Sequence, residues 1–587
     1  MKLLHIKSSI DFRYILFVAL ISVLSFSSCT DLGEEVLDEI VSGDIKSVED
    51  SGEKLLSGTY SKNKDIFCSY HGIWCVQELS TDEAVLPTRG EDWGDGGSWR
   101  ALHEFTWNEN SSRPNNLWST LSGAVAQALT AIDVLKDDDG EYAKMYLAEA
   151  KALLALYTYQ IADIYGQVPY RDPDNPDFAA LPEVLTAAEA VNVCIETINA
   201  CLPDLAEIGK NGTYFGRFTK QAAYSLLAEI YLNKAVYEDR YNETSDFNFV
   251  ESHYMDSVIY YSDKLISNPH FALEDDYFEI FGVDNYQNSE HIFSIVQEAT
   301  GSNPGNNHFT YLSMGRNQKS NPDNNRGSNA SCATPDYYST WDNNREDPRF
   351  QKHTIKNGGV PFKNDGSDFS LPYDGTFHFN RGFQEGQQYG PIISDGEFEM
   401  DPDDNSRVLV QKLYTEKNTD LLMDFTRELD FDDPGKAIFT QNQINRGVRV
   451  FKQEYDAENT RKYGGVDIPV FRLGGIYTMR AEAKFRNGDV SGALDDINTL
   501  RSSRWSIAMD GSKYYGKNIS SLDEETLYNE ISYELYWESK RRPQMIRFGK
   551  FEDVYTAKPA SEPYRRVFAI PQSELDVNKD LVQNKGY

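Results

Sequence analysis

Gly475-Ile-Tyr-Thr-Met-Arg-Ala-Glu-Ala-Lys-Phe485, then Asn487-Gly488-Asp489, then a second periodic stretch over 491–501, reads as a helix, a tight polar turn and a second helix. Small alanines face bulky residues in it, as in a tetratricopeptide-like hairpin. The same texture recurs upstream, in Tyr146-Leu-Ala-Glu-Ala-Lys-Ala-Leu-Leu-Ala-Leu-Tyr157 and in Ala222-Ala-Tyr-Ser-Leu-Leu-Ala-Glu-Ile-Tyr231. Apolar residues at three-and-four spacing predict helices over 117–135, 141–165, 187–205, 219–237 and 252–265. Asp137 to Gly140, Gly166, Asp172 to Pro176 and Gly212 punctuate them. The fold class expected is mainly α, with tetratricopeptide-like hairpins supporting a loop-rich, irregular half that carries a few short strands.

That irregular half spans 301–465. Asn, Asp, Gly and Pro crowd into it, as in Asn303-Pro-Gly-Asn-Asn307. Val408-Leu-Val410 and Val448-Arg-Val-Phe451 are apolar bursts of strand length. Loops this long inside a folded chain are functional or disordered. Phe309, Tyr311, Tyr337, Tyr338 and Trp341 argue against disorder.

The N-terminus is a processing segment. Lys2, Lys7 and Arg13 precede an apolar run over 14–24, too short to span a bilayer, and small residues lead to Cys29. A cysteine there resembles the acceptor of a bacterial lipoprotein, with 1–28 removed, and Asp31, Glu34 and Glu35 resemble the acidic tag of surface-exported ones. Several acyl chains on one cysteine suffice for stable anchoring. The expected organisation is a signal peptide (1–28), a lipidated tether (29–40), a helical region (41–300), the loop-rich ligand-binding region (301–465) and a second helical region (466–587).

Ninety-two acidic against 57 basic residues leave a formal charge of -35, which phosphate backbones and anionic membrane surfaces repel. Nucleic acid is therefore excluded as a partner. Five cysteines remain besides Cys29. Cys68 and Cys75, like Cys194 and Cys201, are seven apart; on one helix that is about 10.5 Å, beyond disulfide reach. All five read as small buried residues. No Gly-x-Ser-x-Gly, His-Glu-x-x-His, phosphate-cradling Gly loop or Cys/His zinc spacing occurs.

Near the C-terminus stand Asp467-Ile-Pro-Val-Phe-Arg-Leu473, Arg480-Ala-Glu-Ala-Lys484, Glu534-Leu535, Glu538, Arg541 and Arg547-Phe-Gly549. Ile570-Pro-Gln-Ser-Glu-Leu575, Asn578 and Gln583-Asn-Lys-Gly-Tyr587 close the chain. With Leu56-Ser-Gly-Thr-Tyr60 and Glu78-Leu-Ser-Thr-Asp-Glu83, these resemble the SusD/RagB family of nutrient-binding outer-membrane lipoproteins. The chain departs from the family at Ser539, where a Gly is usual, and at Gln544-Met545, where Asp-Leu is usual; Pro543 also interrupts the late helix. The resemblance implies four tetratricopeptide-like units, no catalysis, and capture of oligosaccharides for a SusC-like TonB-dependent transporter. It leaves peptide cargo open. The rival readings are a glycoside hydrolase or lyase, which needs two positioned carboxylates, and a pure interaction scaffold.

A sugar-binding site needs an aromatic platform for the CH face and planar polar groups for the hydroxyls. The densest such stretch is Arg89-Gly-Glu-Asp-Trp-Gly-Asp-Gly-Gly-Ser-Trp99. Its glycines rule out a stable helix and favour exposure of the rings. Trp93 and Trp99 are the platform candidates, with Arg89, Asp92 and Asp95 as polar partners; an inward-packed loop anchor is the competing reading for each ring. A second set is Asn306, Asn307, His308 and Tyr311, with Arg326 and Trp341; packed core is its competing reading. Arg541-Arg542 reads as an ion-pair partner of Glu534 and Glu538 rather than a clamp on an anionic sugar. No cofactor is expected, although Asp/Asn-rich loops leave calcium open.

Overall fold

The computed structural model describes residues 51–209, 213–250, 252–297, 308–322, 326–356, 360–361, 368–457 and 464–587. The leader, Cys29, the tether, Asn306 and Asn307 lie outside the described residues, as does the His308 side chain.

Ser112–Leu135, Ala143–Tyr165, Ala187–Cys201, Lys220–Glu238 and Tyr254–Ile266 are helices, each packed on the next in chain order. They match the five predicted stretches to within a few residues, the first starting a turn early and the third ending at Cys201. Alanines make the close contacts: Ala148, Ala150, Ala152, Ala155 and Ala162 are all buried in one helix. Stop and start signals act locally. Gly166 ends its helix with a left-handed φ of 75°, and Thr186 with Glu189 forms a reciprocal capping box at the next. The C-terminal hairpin forms as read: Leu473–Arg486 and Val490–Ser503 pack on each other, with Asp489 accepting from the Gly492 amide at 2.9 Å. Leu473–Arg486 also packs on Tyr254–Ile266, so the hairpin extends the first helical array.

Two strands fasten these regions: His291–Ile295 pairs antiparallel with Ile468–Arg472, across the whole irregular half. Residues 52–587 form one unit. Both apolar bursts form strands: the first lies within Asp404–Lys412, and Arg449–Phe451 takes in all of the second but Val448. Asp404–Lys412 pairs with Ser370–Pro372 and Tyr389–Pro391 over a small core of Leu371, Phe377, Phe398, Val408 and Val410. Cys68, Cys75, Cys194, Cys201 and Cys332 are all buried, and none of them forms a disulfide among the described residues.

A buried ionic network ties the irregular half to the C-terminal helices. Arg472 donates to Glu534 and Glu538 at 2.7 Å and to Glu290 at 3.2 Å, and Arg504 to Glu534 at 2.7 Å. Arg349 reaches Asp347 and Glu530 at 2.9 Å and Glu534 at 3.3 Å. Burial alone would raise the Glu534 carboxyl's pKa; three guanidinium groups instead hold it far below the carboxylate range.

The pairing expected for Arg541 and Arg542 is corrected. Arg541 forms a bidentate pair with Asp82, both contacts 2.7 Å, and Arg542 donates to the Arg566 carbonyl. The helix Glu524–Leu535 ends before them, and Trp537 and Ser539 turn left-handed at φ 61° and 62°. The helical spacing that would put Arg541 beside Glu534 and Glu538 is thereby broken. The Glu78–Glu83 motif holds this turn: Glu83 accepts from the Trp537 amide and Glu78 from the Ser539 amide.

Candidate functional site

Two short pairings carry the 89–99 loop against the irregular half. Ala84–Val85 runs antiparallel to Cys332–Ala333, and Thr88–Arg89 parallel to Ile438–Phe439. Arg89 then stitches the loop down. Its guanidinium donates to the carbonyls of Ala330 (2.8 Å), Ile444 (3.1 Å) and Arg446 (2.7 Å), and lies 5.0 Å from the Phe439 ring. Beyond it the backbone turns left-handed at Gly90, Trp93, Asp95, Gly96 and Gly97. Glycine adopts this freely, but at Trp93 (φ 58°) and Asp95 (φ 38°) it costs about 1–2 kcal/mol each. Strain of this kind concentrates at ligand-binding loops.

The strain presents a ring. Trp93 is half-buried, and its indole N–H donates to the Ser328 carbonyl at 3.0 Å. Tyr70 meets it edge-on at 6.3 Å, and Trp99 at 6.2 Å. Ser328 in turn donates through its amide and hydroxyl to the Tyr311 carbonyl, at 2.8 and 2.9 Å. Two segments more than 200 residues apart therefore meet at one place. Burial raises the Tyr70 phenol pKa, and nearby Tyr311 adds to it, so the hydroxyl stays protonated and able to donate. Charges alternate beside the rings: Asp92 pairs with Lys417 at 2.7 Å and Arg316 at 3.1 Å, and Glu416 pairs with Arg326.

Of the sequence-derived candidates, the structure brings together Asp92, Trp93, Asp95 and Tyr311, and the second-set Arg326 joins them through Glu416. Three are corrected. Arg89 is buried against main-chain carbonyls and serves as a fastener. Trp99 is 1% exposed: its N–H is held by Asp95 at 2.9 Å, and Arg113 lies 3.7 Å over its ring. The glycines that favoured exposure end just before it, and the Ser112–Leu135 helix supplies the cover. Trp341 is fully buried, 4.0 Å from the Tyr533 ring and packed on Phe350 and Phe383. It follows the Pro335–Thr340 helix, which points it into the core. Sequence reasoning missed Tyr70, Arg316, Glu416 and Lys417. Tyr70 stands next to His71 in a stretch without a motif, and only the tertiary fold places Lys417 on Asp92.

Rings with protonated hydroxyls and alternating ion pairs can stack on and hydrogen-bond a polyhydroxylated ligand. Among the described residues, no group of three or more His, Cys, Asp or Glu is placed to hold a metal ion.

The SusD family profile matches residues 289–563, and a profile described as starch-binding, associating with outer membrane, matches 74–232. The starch-binding protein SusD of Bacteroides thetaiotaomicron is 25% identical over 534 residues, covering 88% of this chain and 86% of its own. The SusD-like protein P25 of Formosa agariphila is 29% identical over 149 residues, 22% of this chain and 27% of its own. A SusD superfamily protein from Parabacteroides distasonis superposes with a TM-score of 0.64 at 16% identity, over 92% of this chain and 99% of its own. Surface glycan-binding protein A from Bacteroides thetaiotaomicron, solved with laminarihexaose, gives 0.58 at 16% identity, over 91% and 99%. At such identities the superpositions speak for the fold, and the sequence matches speak for descent. With both profiles in chain order on that fold, the chain belongs to the SusD/RagB family.

Proposed function

We propose that this protein is a lipid-anchored surface component of the outer membrane that captures an oligosaccharide on the Trp93 platform and delivers it to a SusC-like TonB-dependent transporter. One observation carries the binding reading. A strained loop holds Trp93 partly exposed beside Tyr70 and tied through Ser328 to the Tyr311 backbone, with Asp92, Arg316 and Lys417 next to it. A starch-binding relative and a fold neighbour solved with laminarihexaose support a glycan as the cargo. The lipid on Cys29 and the transporter partner follow from the family reading. The helix pairs, including Leu473–Arg486 with Val490–Ser503, are read as tetratricopeptide-like units. The protein is a binding protein and not an enzyme.

The test is calorimetric titration of the chain beyond Cys29 with starch, laminarin and other glycans, alongside peptides, with product analysis for new reducing ends. Saturable glycan binding without cleavage, weakened about tenfold or more in Trp93→Ala (about 1.4 kcal/mol), is the expected result. Cleavage, or binding to peptides alone, would overturn it.

A further inference from the structure

A second cleft lies between Val283 and Tyr455, and the Trp93 platform does not use it. It encloses about 520 Å³. A neighbouring cleft of about 450 Å³ extends past Lys352, Tyr373 and Ser406. Both volumes fall in the range of about 300–1,000 Å³ typical of ligand pockets. The two share the wall made by Asp374, His378, Phe379, Arg381 and Glu454.

That wall is built from committed charges. His378 Nε2 lies 2.9 Å from the Thr376 hydroxyl and 3.2 Å from Asp374, and Nδ1 lies 3.8 Å from Glu454. Glu454 accepts from the Val283 amide at 2.9 Å and pairs with Arg381 at 3.6 Å. Arg381 also donates to the carbonyls of Phe278 (2.9 Å), Phe281 (3.0 Å) and Lys452 (2.6 Å). The positive charges are thus spent on the wall itself, while Asp284 stands exposed as an acceptor beside the equally exposed Asp374, whose Oδ1 already accepts from the Thr376 amide and hydroxyl. Phe379 is half-buried, set edge-on to Phe377 at 4.8 Å. A ring beside exposed carboxylates, with cations already paired, suits a neutral sugar: hydroxyls donate to the carboxylates, and a uronate or sulfate is repelled.

The cleft also adjoins the first site. Tyr311 and Phe379 pack against the same cluster of Met314, Phe451 and Tyr455. The Tyr455 hydroxyl donates to the Arg326 carbonyl at 3.1 Å, next to the Arg326–Glu416 pair. We infer that this double cleft is a second saccharide subsite, which takes neutral sugar residues of a chain whose other part lies on the Trp93 platform. The inference rests on the saccharide reading of that platform.

The probes are maltohexaose and laminarihexaose against maltose and laminaribiose, titrated into the chain beyond Cys29. In an Asp284→Ala/Asp374→Ala variant, and separately in Phe379→Ala, the hexasaccharide that binds is expected to weaken about tenfold while its disaccharide is unaffected. Trp93→Ala weakens both lengths. Unchanged hexasaccharide affinity in both cleft variants, at unchanged melting temperature, overturns the inference and leaves the platform reading intact. Loss confined to the cleft variants, with Trp93→Ala silent, overturns the platform as the capture site and keeps the cleft as a saccharide site. Absence of binding by all four sugars overturns both.

Discussion

At the scale of single residues, the same left-handed strain serves two different ends. Trp93 and Asp95 are left-handed in a loop that presents a ring, and Ser539 is left-handed inside a turn gripped by the Glu78 carboxylate. The family's usual Gly at the Ser539 position is what this φ of 62° favours. Ser539→Gly is therefore expected to raise unfolding free energy by about 1 kcal/mol, because the amide bond to Glu78 is kept while the Cβ penalty disappears. Urea denaturation reads this directly, and an unchanged or lower midpoint would show that the serine is not strained. The two tryptophans part in the same way. Trp93→Ala is expected to act on binding with little loss of stability. Trp99→Ala is expected to cost about 3–5 kcal/mol, as for other buried aromatics, because its ring is enclosed by Tyr70, His71 and Arg113. Parallel melting and titration curves of the two variants would separate the roles.

At the scale of elements, the ionic network joins parts that sequence order keeps apart. Glu534 sits on the Glu524–Leu535 helix and faces Arg349, Arg472 and Arg504, none of them on that helix. Glu534→Gln leaves three buried guanidinium groups short of one negative charge, and a loss of about 3–5 kcal/mol is expected. A loss under 1 kcal/mol in chemical denaturation would show that water or the remaining carboxylates compensate. The helices themselves were legible because their signal is local: three-and-four periodicity, alanine-rich contact faces and Gly or Asp caps all lie within a few residues. Strand bursts at 408–410 and 448–451 were legible for the same reason. The site was only half legible. Composition identified the 89–99 loop, but whether a tryptophan there faces outward depends on Arg113 and the Ser112–Leu135 helix. That Trp93 is tied to the Tyr311 backbone depends on Ser328. Arg541 shows the converse error, since helical spacing was extrapolated past a left-handed turn that the residues Trp537 and Ser539 do not announce.

At the scale of the whole molecule, charge and buried acids set the pH of greatest stability. The formal charge of -35 makes the folded state self-repelling at neutral pH. Burial pushes the Glu83 carboxyl up to about 8, against the pull of Arg541 and the Trp537 amide, and pushes Asp467 to about 6. Such groups hold a proton in the folded state that the unfolded chain releases above its ordinary carboxylate value. Their stabilising contribution is full below about pH 4.5 and fades as pH rises through the folded values. His378 acts in the same direction: the neighbouring Glu454 raises its pKa, so its contribution is present below about 6.5 and is lost above. The opposite limb comes from Glu454. Burial would raise it, but His378, Arg381 and the Val283 amide hold it at about 2, so its contribution is lost as pH falls from about 4.5 towards that value. Below about pH 6.5 the buried His291, which burial pushes down to about 4, works against the raised acids, so these signs place the decline of melting temperature between about pH 6.5 and 8. Glu83→Gln keeps an acceptor for the Trp537 amide and removes the titration, so it is expected to flatten that decline. Thermal unfolding of both proteins from pH 4 to 9 at fixed ionic strength decides the matter. A maximum at pH 7 or above in the parent chain, or equal slopes in the two, would mean that the buried acids ionise without cost to the fold.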